Sequence, residues 1–189
     1  MTMAVAELVP TERGRSLAAL ESSRHTPPTM QPFPHFDIRP ETPVLKKDFP
    51  DHHDADLVLK LYELRRESVM RESRNQLNAG YWPASLDEAV AITKSDHPLN
   101  VAYRQCATYW EMTYAMARHG VVHADFMLES TGEGLLLFAR IEPWLAEFRA
   151  ATGNPALFRN AEWVAGETDM GRQIMERFRA RVRARQAGK

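Results

Sequence analysis

The densest group of residues able to bind a metal ion is the Asp-His-His-Asp-Ala-Asp run at 51–56. Carboxylate oxygens and imidazole nitrogens are ligands that zinc and similar cations prefer. The run follows Pro50 and opens a helical pattern, where acidic side chains accept hydrogen bonds from free backbone amides and interact favourably with the helix dipole. We therefore predict that Asp51 or Asp54 caps a helix, and a metal site is the alternative.

Other patterns that could support catalysis are weaker. His119 and His123 have the spacing of zinc ligands on a helix, but Gly120 lies between them and is expected to end the helix, so we interpret them as surface or C-cap histidines. The sequence contains no HExxH pair, GxSxG elbow, phosphate-binding loop or dinucleotide glycine motif. We predict no catalytic residue, no metal and no cofactor, and an enzyme of unknown type is a further alternative.

A second group of residues with chemical potential is aromatic and sulfur-containing. It comprises Tyr103, Cys106, Tyr109, Trp110, Met112, Tyr114 and Met116. Side chains of these types at helical spacing most often form a core, so we predict a buried helix. A pocket for a flat ligand beside Tyr109 and Trp110 is the alternative. A buried Cys106 thiol without a cationic neighbour would be unreactive.

These groups are positioned by helices, because a hydrophobic period near 3.6 residues begins at Asp51 and continues along the chain. The predicted helices span 54–79, 85–93, 96–120, 123–130, two pieces of 135–152 divided at Pro143, 154–165, and 168 or 169 to the end. In the third of these, Val101 is expected to be buried with the aromatic residues. The pattern predicts an all-α protein, with one irregular bundle of six to seven helices over 51–189.

The first fifty residues have a different composition, since eight of the twelve prolines fall there. Proline favours extended backbone, so we predict a proline-rich arm over 1–50 with one possible short helix near 12–22. Apolar residues are interleaved with the prolines: Phe33, Phe36, Ile38, Val44, Leu45 and Phe49. The arm is either a disordered tail or an extended segment whose apolar side chains anchor it to this protein or to a partner.

Charge and composition narrow the functional classes. The formal net charge of −1 disfavours a dedicated nucleic-acid binder. The last helix is nevertheless basic, and its Arg177, Arg181 and Arg185 are candidates for binding a partner or an anionic surface. A single cysteine and the lack of a long apolar run predict a cytoplasmic protein without a membrane span.

Three strings in the chain resemble an uncharacterised group of short, helical bacterial proteins. They are LYELRRE at 61–67, Met70-Arg71, and YWEM at 109–112. The resemblance extends over about 54–164 and excludes the arm. It implies a helical fold and a bacterial origin, and it implies no activity or site residues.

The sequence favours a non-catalytic helical interaction protein, an accessory subunit or adaptor that holds a protein partner or a second copy. Its partner-binding residues would be Phe33, Phe36, Ile38, Leu45 and Phe49 in the arm, with Arg177, Arg181 and Arg185 in the last helix. A small-molecule-binding regulatory protein with a pocket near Tyr109 and Trp110 is the alternative. Nucleic-acid or anionic-surface binding through the arginine-rich helix is less favoured.

Overall fold

A computed structural model of the protein describes residues 47–188, and this part of the chain contains helices and no strand. The α-helices are α1 (His52–Arg66), α2 (Ser68–Gly80), α3 (Leu86–Ala91), α4 (Asn100–Arg118), α5 (Ala124–Thr131), α6 (Leu135–Ile141), α7 (Leu145–Thr152), α8 (Arg159–Glu167) and α9 (Asp169–Ala187). Short 3₁₀ turns at Gly132–Gly134 and Glu142–Trp144 precede α6 and α7. The all-α prediction is confirmed. The predicted arm and its short helix lie almost entirely outside the described residues.

The start of α1 confirms the predicted cap. An Asp51 carboxylate oxygen accepts a hydrogen bond from the Asp54 amide at 3.1 Å, and Asp54 returns the bond to the Asp51 amide at 2.9 Å. The buried Asp54 carboxylate also binds Lys47 Nζ at 2.8 Å and the His123 amide at 3.1 Å. This carboxylate therefore joins the start of α1 to the start of α5.

His123 itself has a different role from the one predicted. It is the N-cap of α5, where its Nδ1 accepts a hydrogen bond from the Phe126 amide. Among the residues that the structure describes, no three His, Cys, Asp or Glu side chains are grouped to hold a metal ion.

The helix predicted over 54–79 is divided at Glu67, whose backbone is extended (φ −53°, ψ 147°). The Arg74 guanidinium of α2 donates to the Arg65 carbonyl at 2.9 Å and so pairs one of the carbonyls near the break. Arg65 in turn donates to the Ser130 carbonyl at the end of α5. These contacts join sequentially distant segments, which is why the periodicity of 54–79 did not predict the division.

The aromatic helix α4 packs between α2 and α8 and forms the centre of the core. The Tyr109 hydroxyl donates to the Leu61 carbonyl of α1 at 2.5 Å, and the Tyr114 hydroxyl donates to the Thr131 carbonyl at 3.2 Å. The prediction of a buried helix is confirmed for these side chains. It is wrong for Val101, which is 78% exposed, and for Met112, because both lie on the outer side of α4.

The helix predicted to begin near Asn154 begins instead at Arg159, because Phe158 adopts a left-handed backbone conformation (φ 58°). The Asn154 side chain accepts from the Ala156 amide and forms a turn. The cap of α8 comes from α4: the Glu111 carboxylate accepts from the Asn160 and Ala161 amides at 3.2 and 2.9 Å. The acidic residue of the YWEM string is thus a long-range helix cap.

The segment after α5 follows the prediction of two pieces, with Pro143 in the 3₁₀ turn between α6 and α7. One side of α9 faces the core: Ile174 and Val182 are buried, and the half-buried Phe178 packs against the core. Among the described residues, no helix is both long enough and apolar enough to cross a membrane.

Candidate ligand-binding pocket

The most unusual side chain of the core is Arg140, which is only 1% exposed. It belongs to α6, a helix in which every residue is buried. Arg140 Nη1 donates to the Leu77 carbonyl at 3.0 Å, and its Nη2 donates to Asn78 Oδ1 at 2.7 Å. Both acceptors lie in the last turn of α2, where carbonyl groups and the helix dipole favour a positive charge.

The face of the Arg140 guanidinium is covered by an aromatic ring. Its central carbon lies 4.0 Å from the centroid of Trp82, a distance at which cation–π attraction is favourable. Trp82 is fixed by a hydrogen bond from its indole nitrogen to the Asn78 carbonyl at 2.8 Å. Asn78 therefore holds both the arginine and the ring that covers it.

The positive charge of Arg140 is not neutralised by a carboxylate within residues 47–188. Its Nε is buried and has no hydrogen-bond partner in the described part of the chain. Burial lowers the pKa of Arg140 to about 10, and the nearby charge of Arg181 acts in the same direction. Arg140 thus remains cationic near neutral pH, although a buried charge without a counter-ion is costly.

Arg140 lines a pocket of about 240 Å³ that is bounded by α2, α4, α6 and α9. The apolar part of its wall consists of Leu77, Cys106, Trp110, Leu136, Leu137 and Phe178. The charged part consists of Arg74, Glu133, Arg140 and Arg181. The pocket therefore combines an apolar surface with charged groups contributed by separate segments.

The only carboxylate in this wall is already paired. Arg74 Nε lies 2.6 Å from Glu133 Oε1, and Arg65 Nη1 lies 3.4 Å from Glu133 Oε2. Arg181 forms no ion pair with the described residues, and its guanidinium lies 5.8 Å from the Trp82 centroid. Arg140 and Arg181 consequently leave the pocket with an excess of positive charge.

The Cys106 thiol in the wall is not a nucleophile near neutral pH. It is buried, and this burial raises its pKa to about 12. A thiol that remains protonated is neither reactive nor a good metal ligand. The groups that face the pocket are suited to binding a ligand by charge and apolar contact.

The structure brings together only some of the residues proposed from the sequence. Arg181 and Arg185 both lie over Trp82, at 5.8 and 5.7 Å, whereas Arg177 is exposed and does not line the pocket. Trp110 lines the pocket, but Tyr109 does not. Phe49 is 83% exposed and lies before α1. The remaining arm residues, Phe33, Phe36, Ile38 and Leu45, lie outside the described part of the chain.

Sequence reasoning missed Arg140, Trp82 and Asn78. One signal was present, since Arg140 is a lone charge in the apolar run LLLFARI at 135–141. A charged residue in such a run breaks the apolar pattern expected of a buried helix, and such exceptions often mark functional residues. No comparable signal in the sequence linked it to Trp82.

The fold and the pocket define the class of this protein as an all-α domain with a cationic pocket between its helices. Residues 50–168 match the family described as Domain of unknown function (DUF4760), and because the match covers more than half of the chain, the protein belongs to this family. The matched region contains Arg140 and ends one residue before α9, so it excludes Arg181. No curated protein and no solved structure matches the chain.

Proposed function

We propose that this protein binds a small molecule without transforming it, in the pocket bounded by α2, α4, α6 and α9, and acts as a cytoplasmic regulatory or accessory protein. The observation that carries the proposal is the mixed wall of this pocket. Trp110, Leu137 and Phe178 offer apolar contact, while the buried Arg140 and other charged groups line the same space. Ligand sites typically combine a concave apolar surface with a few fixed polar groups.

Binding without catalysis is favoured by the chemistry of the wall. Cys106 is held protonated by burial, and the Glu133 carboxylate is engaged by Arg65 and Arg74. A general base or nucleophile needs a pKa near the working pH and access to the substrate. Fixed cations and a rigid aromatic surface instead suit recognition.

The proposal is tested by native mass spectrometry of the full-length protein and by a thermal-shift screen with small metabolites. Phe178→Trp enlarges a half-buried side chain in the pocket wall and should reduce ligand binding. Phe126→Trp makes the same change at a half-buried position of α5 outside the pocket and should leave binding intact. Ligands that bind both variants equally well would show that this pocket is not the site.

An adaptor function is the second candidate, and a surface feature favours it. Leu59 is 63% exposed and Tyr62 lies one turn later on the same side of α1, with exposed Phe49 preceding the helix. Exposed large apolar side chains are commonly found where a protein partner docks. We propose that the partner or second copy contacts this side of α1 together with the N-terminal arm.

The adaptor proposal is tested by pull-down from native lysate with the full chain, with residues 1–46 deleted, and with Leu59→Asp. Val101→Asp is the control, because Val101 is also exposed but lies on α4. We expect the full chain and Val101→Asp to retain the partner, and the 1–46 deletion and Leu59→Asp both to lose it. Retention of the partner in both would contradict the proposal.

Binding of nucleic acid through α9 receives less support, since part of its positive charge is engaged. Arg179 makes two hydrogen bonds to the Glu142 carboxylate, and Arg172 contacts Asp169 and the Gly166 carbonyl. A phosphate-binding surface depends on free lysine and arginine side chains.

A further inference from the structure

Arg140 has hydrogen-bonding capacity that the described residues do not use. Its two terminal nitrogens bind the last turn of α2, and this contact alone would explain a structural role for them. The Nε is different, because it is buried and has no partner in residues 47–188. Nearly all buried donors in proteins find an acceptor, so the unpaired Nε of a residue that lines the pocket is evidence for a missing acceptor.

The charge of the wall indicates which kind of acceptor this is. Glu133 is paired with Arg65 and Arg74, while Arg140 and Arg181 lie close enough for their positive charges to oppose each other. A neutral ligand would leave this repulsion unchanged, and a cation would add to it. An anion would relieve it and would provide the missing counter-ion in a poorly solvated site.

The Arg140 guanidinium is preorganised for binding an anion. Trp82 covers one face of Arg140, and Asn78 fixes both side chains, so little rotamer freedom remains to be lost when an anion binds. Planar guanidinium groups bind carboxylate and phosphate oxygens through directional hydrogen bonds. The apolar wall at Trp110 and Phe178 suits a ligand whose remaining part is apolar.

Resting on the proposed ligand-binding function, we infer that the ligand carries a carboxylate or phosphate group bound by Arg140 and Arg181, with an apolar body against Trp110 and Phe178. The pocket volume of about 240 Å³ limits this body to a small group, since sites for drug-sized ligands measure roughly 300–1,000 Å³. The buried Arg140 binds the anionic group from α6, and the exposed Arg181 binds it from α9.

The test uses four probes of similar size: benzoate, phenyl phosphate, neutral benzamide and cationic benzamidine. Each is titrated into the full-length protein at low ionic strength, where electrostatic attraction is least screened, and binding is measured by calorimetry and by the shift in melting temperature. At least one anion should bind about tenfold or more tightly than benzamide, and benzamidine should bind no better than benzamide. The stronger of the two anions identifies the ligand group.

Variants locate the anion. Arg140→Met keeps much of the side-chain volume and should weaken binding of the preferred anion about tenfold or more, while Arg140→Lys should retain part of it. Arg181→Met should weaken binding and reduce its salt dependence. Arg177→Met removes an exposed arginine from the same helix outside the pocket and should have no effect. If Arg140→Met does not fold, the affinities of Arg140→Lys and Arg181→Met for the preferred anion determine whether the anion binds at this site.

Failure of the inference is distinguishable from failure of the proposed function. Equal binding of benzamide and the anions, or lack of binding by both anions, would overturn the inference. The ligand-binding function would survive that result if other small molecules still bound in a way that Phe178→Trp abolished. Anion binding that is unaffected at Arg140 and Arg181 would also overturn the inference, because the anion would then lie elsewhere.

Discussion

The Arg140 guanidinium lies 4.0 Å from the centroid of the Trp82 ring, and both side chains are hydrogen-bonded to Asn78. One residue of α2 thus fixes a buried cation and the aromatic surface that covers it. The cation is held by a carbonyl, an amide oxygen and a π-face, all of which are neutral groups. This arrangement supports the charge without neutralising it, and so leaves it available to an anion.

Replacement of the Trp82 ring should lower the stability of the protein. Trp82→Leu removes buried apolar area and the cation–π contact, and we expect a loss of about 2–3 kcal/mol in the free energy of unfolding. Trp144→Leu makes the same substitution at a half-buried tryptophan that has no such contact with Arg140, and it should cost less. Chemical denaturation measures both. An equal loss in the two variants would show that the Arg140 contact contributes nothing measurable.

The helical fold could be predicted from the sequence because its signals are local. The apolar period, the Asp51 cap and the break at Pro143 each depend on residues a few positions apart, and all three were predicted. The start of α8 could not be predicted in this way. It depends on Glu111, about fifty residues earlier, and on a left-handed Phe158 that no propensity favours.

The candidate site was only partly predictable for the same reason. The sequence placed Trp110 beside a possible pocket, and the structure places it in a pocket wall. Arg140 was not predicted, although it is the lone charge in the apolar run at 135–141. Its partners Asn78 and Trp82 come from the end of α2 and the segment after it, and no spacing rule connects them with α6.

The buried Asp54 carboxylate should make the fold sensitive to acid. Burial alone would raise its pKa, but hydrogen bonds from Lys47 and from the Asp51 and His123 amides together lower the pKa below its usual 3.8. A carboxyl with a lowered pKa in the folded state contributes stability above the pKa of the unfolded state, and this stability is lost as the pH falls through the folded value.

Asp54→Asn should therefore destabilise the protein near neutral pH by about 1–3 kcal/mol, because the Lys47 pairing is lost. The difference from the wild type should shrink as the pH falls below about 3.8. Asp56→Asn, an exposed change on the same helix, serves as the control. Denaturation at several pH values measures the effect, and a pH-independent difference would contradict the assigned role of the charge.

The Glu111 carboxylate should show the opposite dependence on pH. Burial raises its pKa above 4.5, although hydrogen bonds from the Ala161 and Asn160 amides oppose the shift. A carboxyl whose pKa is raised in the folded state favours folding most strongly below the unfolded pKa, and this advantage is lost as the pH rises through the folded value. The wild type should therefore lose stability relative to Glu111→Gln over the window that begins near pH 4.5.

The capping role of Glu111 is tested separately from its charge. Glu111→Ala leaves two amides of α8 without their acceptor and should lower the free energy of unfolding by about 1–2 kcal/mol. Glu111→Gln keeps an oxygen acceptor and should lose less. Hydrogen exchange at Asn160 and Ala161 provides a local measurement, in which faster exchange is expected for the alanine variant. Unchanged exchange at both amides would show that the carboxylate is not their cap.

Two glycines provide a matched test of the packing around the aromatic core. A Cβ atom added at Gly134 would meet Trp110 Cδ2 and the Tyr114 hydroxyl, whereas one added at Gly166 of α8 would meet no atom within 4 Å beyond its chain neighbours and the backbone of its own helix. Gly134→Ala should therefore cost about 1–3 kcal/mol of stability through overpacking. Gly166→Ala should stabilise the protein by about 0.5–1 kcal/mol, because alanine loses less backbone entropy than glycine in a helix.

The same pair of variants also reports on the pocket, because Trp110 forms part of its wall. A displaced Trp110 in Gly134→Ala should weaken benzoate or phenyl phosphate binding, while Gly166→Ala should bind as the wild type does. Tryptophan fluorescence and calorimetry on the folded variants measure the two effects. If Gly134→Ala were as stable as Gly166→Ala, the close packing of Gly134 against Trp110 would be refuted. The wall at Trp110 would then be looser than the contact distances indicate.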